Sequence, residues 1–154
     1  MGFTLRAALA ALGPDAKIIV AELVPEIIDW ARGPMAGLAA GCLDDPRVEL
    51  VIGDVAAAIA AGRGRYDAIL LDVDNGPDGL VRDANDGIYS ATGLASAKAA
   101  LRPGGILAIW SAAPDARFTR RLTTAGFKVE EVAVRARASG KGARHVIWLG
   151  VKRG

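Results

Sequence analysis

The sequence predicts an α/β fold, a mostly parallel β-sheet with helices on both faces and an antiparallel hairpin at its C-terminal end. Three observations carry this expectation. Short apolar runs alternate with helical stretches along nearly all of the 154 residues, which is the pattern of successive strand–helix units. Three of those runs end at an acid or lead straight into one: Lys17 to Glu22, Val48 to Ile52 before Gly53-Asp54, and Ala68 to Leu71 before Asp72. The last two runs, Phe127 to Val134 and His145 to Val151, are joined by a link too short for a crossover, so they must pair antiparallel.

The elements follow in order. Thr4 to Leu12 is rich in Ala and Leu and reads as a helix stopped by Gly13-Pro14. Lys17 to Glu22 is the first strand. Pro25 suits a first helical turn, and Glu26 to Arg32 continues that helix. Met35 to Leu43 reads as a further helical piece weakened by Gly37 and Gly41. Asp44-Asp45-Pro46 is a turn into the strand Val48 to Ile52, and Val55 to Ala61 is a short Ala-rich helix. Ala68 to Leu71 is apolar throughout, as expected of a strand buried on both faces. Asn75 to Gly87 carries turn residues and reads as a loop. A helix to Leu101, a tight turn at Arg102-Pro103-Gly104-Gly105, a strand from Ile106 to Ser111 and a helix from Asp115 to Ala125 precede the hairpin. No repeat, low-complexity segment or domain break is visible, so residues 1–154 read as one domain.

Composition narrows the class. Hydrophobic residues make up 52% and charged residues 23%, enough apolar material for a packed core. A net charge of +2 does not call for nucleic acid. The single cysteine, Cys42, has no partner for an internal disulfide or a metal knuckle and fits a reducing, cytoplasmic setting. No apolar run is long enough to span a membrane, and the start lacks the form of a signal peptide.

In an open α/β sheet, ligands bind just beyond the carboxyl ends of the strands. Asp72 stands at such an end, where a carboxylate can take a proton or cap the next turn. Glu22 and Asp54 occupy corresponding places. Glu22 is otherwise a solvated strand-end acid, and Asp54 is otherwise an N-cap for the helix at Val55, a role compatible with ligand binding.

Four landmarks now stand in order: Val20-Ala21-Glu22-Leu23; Asp45-Pro46-Arg47-Val48 running into Ile52-Gly53-Asp54; Tyr66-Asp67 to Asp72; and Leu101-Arg102-Pro103-Gly104-Gly105. With them, the chain resembles the class I S-adenosylmethionine-dependent methyltransferase fold, which is Rossmann-like, and within it the spermidine synthase branch. The resemblance implies a transferase that uses S-adenosylmethionine or its decarboxylated form to move a methyl or aminopropyl group to a small-molecule acceptor. It implies that Glu22 holds the ribose hydroxyls and that Asp54 meets the adenine, with Leu23, Gly53 and Val55 beside them. It implies that Asp72 touches the cofactor and deprotonates the attacking amine. Asp74 and Asn75 are the implied acceptor-side residues; Tyr89, after the loop from Asn75, is placed either to reach the cofactor mouth on the acceptor side or to pack on a helix. The polyamine pattern has an acid three positions after Asp72, where this chain has Asn75, with Asp74 one position out of register.

The same resemblance places a first strand and a glycine-rich loop ahead of the first helix. Met1-Gly2-Phe3-Thr4 looks like the end of that loop, with Gly2 its last glycine, so the first strand and most of the loop are expected to be missing. The missing strand would lie between the strands ending at Glu22 and Asp72, leaving unpaired edges that favour a homodimer. The competing expectation is a non-catalytic remnant or assembly module of the same fold. His145, the single histidine, and the turn Ser139-Gly140-Lys141-Gly142 show no catalytic or phosphate-loop pattern. Trp110 and Trp148 read as core or near-core residues.

Overall fold

The computed structural model describes residues 2–72, 87–135 and 142–154. They contain, in order, α1 (Phe3–Ala11), β1 (Ile18–Glu22), α2 (Pro25–Arg32), α3 (Ala36–Ala39), a 3-10 turn (Cys42–Asp44), β2 (Val48–Ile52), α4 (Val55–Ala60) and β3 (Tyr66–Leu71). A helical turn at 87–89 leads into α5 (Ala91–Ala100), followed by β4 (Leu101–Ser111), α6 (Ala116–Thr124), β5 (Phe127–Arg135) and β6 (Arg144–Lys152). These elements divide into two compact units, Met1–Ala58 and Ile59–Gly154. Among the described residues, no helix is long and apolar enough to cross a membrane.

In the first unit, β1 and β2 pair in parallel, Ile18 beside Val48 through to Glu22 beside Ile52. Leu5, Ile28, Ala31, Ala39, Cys42 and Leu43 form its core, with Ile18, Val20, Val48 and Leu50 of the two strands packed against them. The helical piece expected from Met35 to Leu43 is broken in two. Ala40 (φ 51°) and Gly41 (φ 71°) are both left-handed, and two such residues cannot continue a right-handed helix.

Arg47 joins the last turn of α1 to the start of β2. Its Nη1 donates to the carbonyls of Leu9, Leu12 and Gly13 at 3.1, 3.0 and 3.3 Å. Nε and Nη2 grip the two carboxylate oxygens of Asp45, each at 3.0 Å. A cation at the carbonyl end of a helix satisfies orphan acceptors and opposes the dipole. The hydrogen bond from Arg47 holds the Asp45 carboxyl below its ordinary pKa, and that same bond raises the pKa of the guanidinium.

In the second unit the strand order is β3-β4-β6-β5. β3 and β4 run parallel, and β6 is antiparallel to both β4 and β5. The tight turn expected at Arg102-Pro103-Gly104-Gly105 is present as an outward loop inside β4. Tyr66 pairs with Leu101, yet Ala68 already pairs with Ile106, and Gly104 takes φ 76° in the displaced stretch. Among the described residues of this unit, eight large side chains are fully buried, Trp148, Phe118 and Phe127 the bulkiest. Phe118 of α6 meets the Trp148 ring edge-on at 4.9 Å, and the indole Nε1 donates to Thr119 Oγ1 at 2.9 Å. An aromatic buried with its polar atom satisfied anchors a core.

Candidate functional site

The parallel ladder of the first unit decides where Glu22 and Asp54 lie. Glu22 is the last residue of β1 and sits beside Ile52, the last of β2. One further bond, from Gly53 N to the Glu22 carbonyl at 2.9 Å, carries the ladder to the rim. Glu22 and Asp54 are thereby brought to the same carboxyl end of two neighbouring strands.

The Glu22 side chain is partly buried and folds back so that Oε1 accepts from Val24 N at 3.0 Å. This turn presents the carboxylate at the strand end, and Oε2 has no hydrogen-bond partner among the described residues. Leu23, at the turn itself, is 52% exposed. Asp54 begins α4: its Oδ1 accepts from Ala56 N at 2.8 Å, and its carbonyl accepts from Ala58 N at 3.1 Å. The N-cap role weighed from the sequence is therefore occupied. Asp54 Oδ2 remains without a partner among the described residues. Val55 follows as the first residue of α4, half-buried.

Gly2 caps the start of α1 with φ 74°. Its carbonyl accepts from Arg6 N at 2.9 Å and from the buried Cys42 thiol at 4.0 Å. A Cβ at this position would lie 2.9 Å from Cys42 Sγ. Glycine is required here both by conformation and by that close approach.

These residues fit a nucleoside. A ribose diol needs an acceptor for two hydroxyl donors, which a strand-end carboxylate provides. An adenine amino group needs a single acceptor, and Asp54 has an oxygen for it while still capping its helix.

Asp72 lies in the second unit, at the carboxyl end of β3, and is exposed. It follows Leu71, which is buried and pairs with Ile109 of β4. Tyr89 is 2% exposed and packs edge-on against Phe118 at 5.7 Å, while its carbonyl accepts from Arg121 Nη1 at 3.2 Å. Of the two uses open to it in the sequence, the cofactor mouth or helix packing, the buried ring makes the packing contact with Phe118. Asp74 and Asn75 fall outside the described residues.

Two features escape a linear reading. Arg47 appears in the sequence only as part of a motif, and its hold on three carbonyls more than thirty positions away has no local signal. Ser90 caps α5 by accepting from Gly93 N at 3.1 Å; a serine just ahead of the Ala-rich run was available as that signal.

Residues 11–119, well over half of the chain, match the model of the spermine/spermidine synthase domain. A polyamine aminopropyltransferase of Mycobacterium tuberculosis is 36% identical over 104 residues, covering 64% of this chain and 18% of that protein. Putrescine N-methyltransferase 4 of Nicotiana tabacum is 38% identical over 92 residues, covering 59% of this chain and 22% of that protein. The chain thus spans less than a third of the length of these curated relatives. Among solved structures, a spermidine synthase in complex with the transition-state analogue AdoDATO superposes with a TM-score of 0.79 at 22% identity, over 98% of this chain and 51% of that one. The 16S rRNA (adenine(1408)-N(1))-methyltransferase of Catenulisporales acidiphilia gives 0.61 at 18% identity, over 97% and 82%. The structural likenesses establish an α/β Rossmann-like methyltransferase fold. With the family match, the conclusion is that this chain belongs to the spermine/spermidine synthase domain family.

Proposed function

We propose that this chain is the cofactor-binding part of a transferase that moves an aminopropyl or methyl group from an S-adenosylmethionine-type sulfonium to a small amine. The observation that carries the reading is the pair of acids, Glu22 and Asp54, held at one carboxyl end of two adjoining parallel strands by the β1–β2 ladder and the Gly53–Glu22 bond. The relatives support both transfers, since one is an aminopropyltransferase and another a putrescine N-methyltransferase. Both are transferases, which favours this reading over a non-catalytic assembly module.

In this reading Glu22 accepts from the two ribose hydroxyls and Asp54 from the adenine amino group, with Leu23 and Val55 covering the apolar faces. Gly2 lets the backbone approach closely at the start of α1. When bound, S-adenosylmethionine or its decarboxylated form supplies an activated carbon, whose bond to sulfur breaks as its bond to the acceptor nitrogen forms, the thioether leaving with the electron pair. Asp72 accepts the proton that the amine must lose. A positioned carboxylate in that role contributes about 10²–10⁴ in rate. The identity of the transferred group then follows from the cofactor bound, the decarboxylated form giving aminopropyl transfer.

Calorimetry with S-adenosylmethionine, decarboxylated S-adenosylmethionine and methylthioadenosine tests the reading. At least one should bind, and Glu22→Gln should weaken it by about tenfold or more, the loss of charge-assisted hydrogen bonds to a diol. Asp72→Asn should leave methylthioadenosine binding intact and abolish most transfer. Failure of all three nucleosides to bind would remove the reading.

A further inference from the structure

Charge is unevenly divided along the chain. From Val132 to Gly154 there are six lysines and arginines and no aspartate or glutamate, whereas residues 1–131 hold 13 cations and 17 acids. A net charge of +2 therefore conceals a cationic C-terminal stretch. The β5–β6 register sets two of these cations against each other. β4 accompanies β6 only as far as the pair Ser111–Val146, while β5 and β6 stay paired for two further steps, Val134–His145 and Arg135–Arg144. Arg135 and Arg144 thus stand directly opposite one another past the end of β4, and both are exposed.

Directly opposite residues of an antiparallel pair project from the same face, with Cα atoms about 4.5–5.5 Å apart. Like charges in that position are destabilising. Glu131, the acid nearest to Arg135 along β5, lies four residues away and accepts from Thr119 Oγ1. Residues 136–143, which join the two strands, contain Arg137 and Lys141 and no acid. Neither the Arg135 nor the Arg144 guanidinium forms a hydrogen bond or an ion pair among the described residues. A guanidinium offers a planar fork of donors suited to two oxygens of one phosphate. Two forks on one face can hold different oxygens of the same group, whose charge turns their mutual repulsion into two attractions. A carboxylate, with one charge and two oxygens, satisfies only one fork.

We propose that Arg135 and Arg144 form a clamp for a phosphate or diphosphate group at the open end of the β5–β6 ladder. The clamp is a binding site in its own right and does not depend on the transferase reading. Both side chains are exposed, so its affinity falls as salt rises.

The test is calorimetry of the full chain with sodium pyrophosphate at constant ionic strength, with hydrogen exchange of the β5–β6 amides alongside. Pyrophosphate should bind, and Arg135→Gln and Arg144→Gln should each weaken it about tenfold or more. Arg153→Gln, just after β6 at the opposite end of the ladder, should leave it unchanged. At a free concentration ten times the dissociation constant, opening of the ladder end should become about tenfold rarer in the wild-type chain and change little in either clamp variant. Each clamp variant also lifts the repulsion, so without pyrophosphate its ladder-end amides should exchange more slowly than those of the wild type. Unchanged protection along β4–β6 reports that the variants are folded. Glycerol 3-phosphate, titrated in parallel, identifies the source of the group. Tighter binding than pyrophosphate assigns a phosphate carried on an organic molecule, weaker binding assigns the free oxyanion, and either supports the clamp. Binding of neither anion, binding that both clamp variants retain, or ladder-end amides that exchange no more slowly in them overturns the inference.

Discussion

The two compact units are built with unequal means. Among the described residues, the second carries four strands and every one of the fully buried large side chains, Trp148, Phe118 and Phe127 among them. The first has two strands, all five residues of β1 only half-buried, and a core in which alanines and a cysteine stand beside leucine and isoleucine. A two-stranded sheet is marginal without further packing. Its register is held at the margins by polar devices: Arg47 on the carbonyls of α1, Ile18 N on the Arg47 carbonyl at 2.8 Å, and Gly53 N on Glu22. Polar bonds at element ends therefore matter more where apolar burial is smaller, and the candidate nucleoside-binding acids sit in the more weakly packed unit.

The sharpest break in this comparison comes from Trp148→Ala, which removes a fully buried indole and should cost the second unit about 3–5 kcal/mol. Chemical denaturation read at β4–β6 amides would check it, and an effect below about 1 kcal/mol would refute the idea that one aromatic cluster organises that unit. Arg47→Ala should act on the other side, speeding amide exchange in α1 and β1 while protection in β4, β5 and β6 stays unchanged. Even in the unaltered chain, α1 and β1 amides should exchange ahead of those of the β4–β6 ladder.

Acid should separate the units as well. The Asp45 carboxyl has a depressed pKa in the folded chain, caused first by the Arg47 hydrogen bond. A depressed acid contributes stability above its unfolded pKa and loses it as pH falls through the folded one. The first unit should thus weaken below about pH 4, and Asp45→Asn should remove that part of its acid dependence. Urea titrations at pH 6 and pH 3 on both forms would show it.

Smaller effects sharpen the picture. Ala40 is left-handed at the end of α3, so Ala40→Gly should stabilise the first unit by up to about 1 kcal/mol. A loss on that substitution would contradict the assigned backbone. Arg102 and Asp67 form an ion pair at 2.8 Å in which both partners are largely exposed, and Arg102→Ala should shift the melting point hardly at all, within about 0.5 kcal/mol.

Much of this was legible from residues in sequence order. The strand Val48–Ile52 is found with the expected ends, and β1, α2 and the hairpin strands fall within a residue or so of theirs, because apolar runs flanked by Gly, Pro and acids act locally. The placement of Glu22 and Asp54 at strand ends was equally local. Met35 to Leu43 was not, since Ala40 in a left-handed turn has no compositional mark. Nor was Tyr89, whose ring could face a ligand or the core on the same sequence, and which the packing of α6 draws inward through Phe118.

The chain's own order of apolar and polar residues determined the alternation of strands and helices, the antiparallel ending and the acids at the ends of β1, β2 and β3. These follow from side-chain periodicity and turn chemistry acting over a few neighbours. Tertiary structure alone decided that β6 lies between β4 and β5, that Arg47 closes α1, and that Leu71 stands beside Ile109. Each of these depends on hydrogen bonds between residues far apart in the chain, where backbone groups are interchangeable and only the competition among complete packings selects the partner.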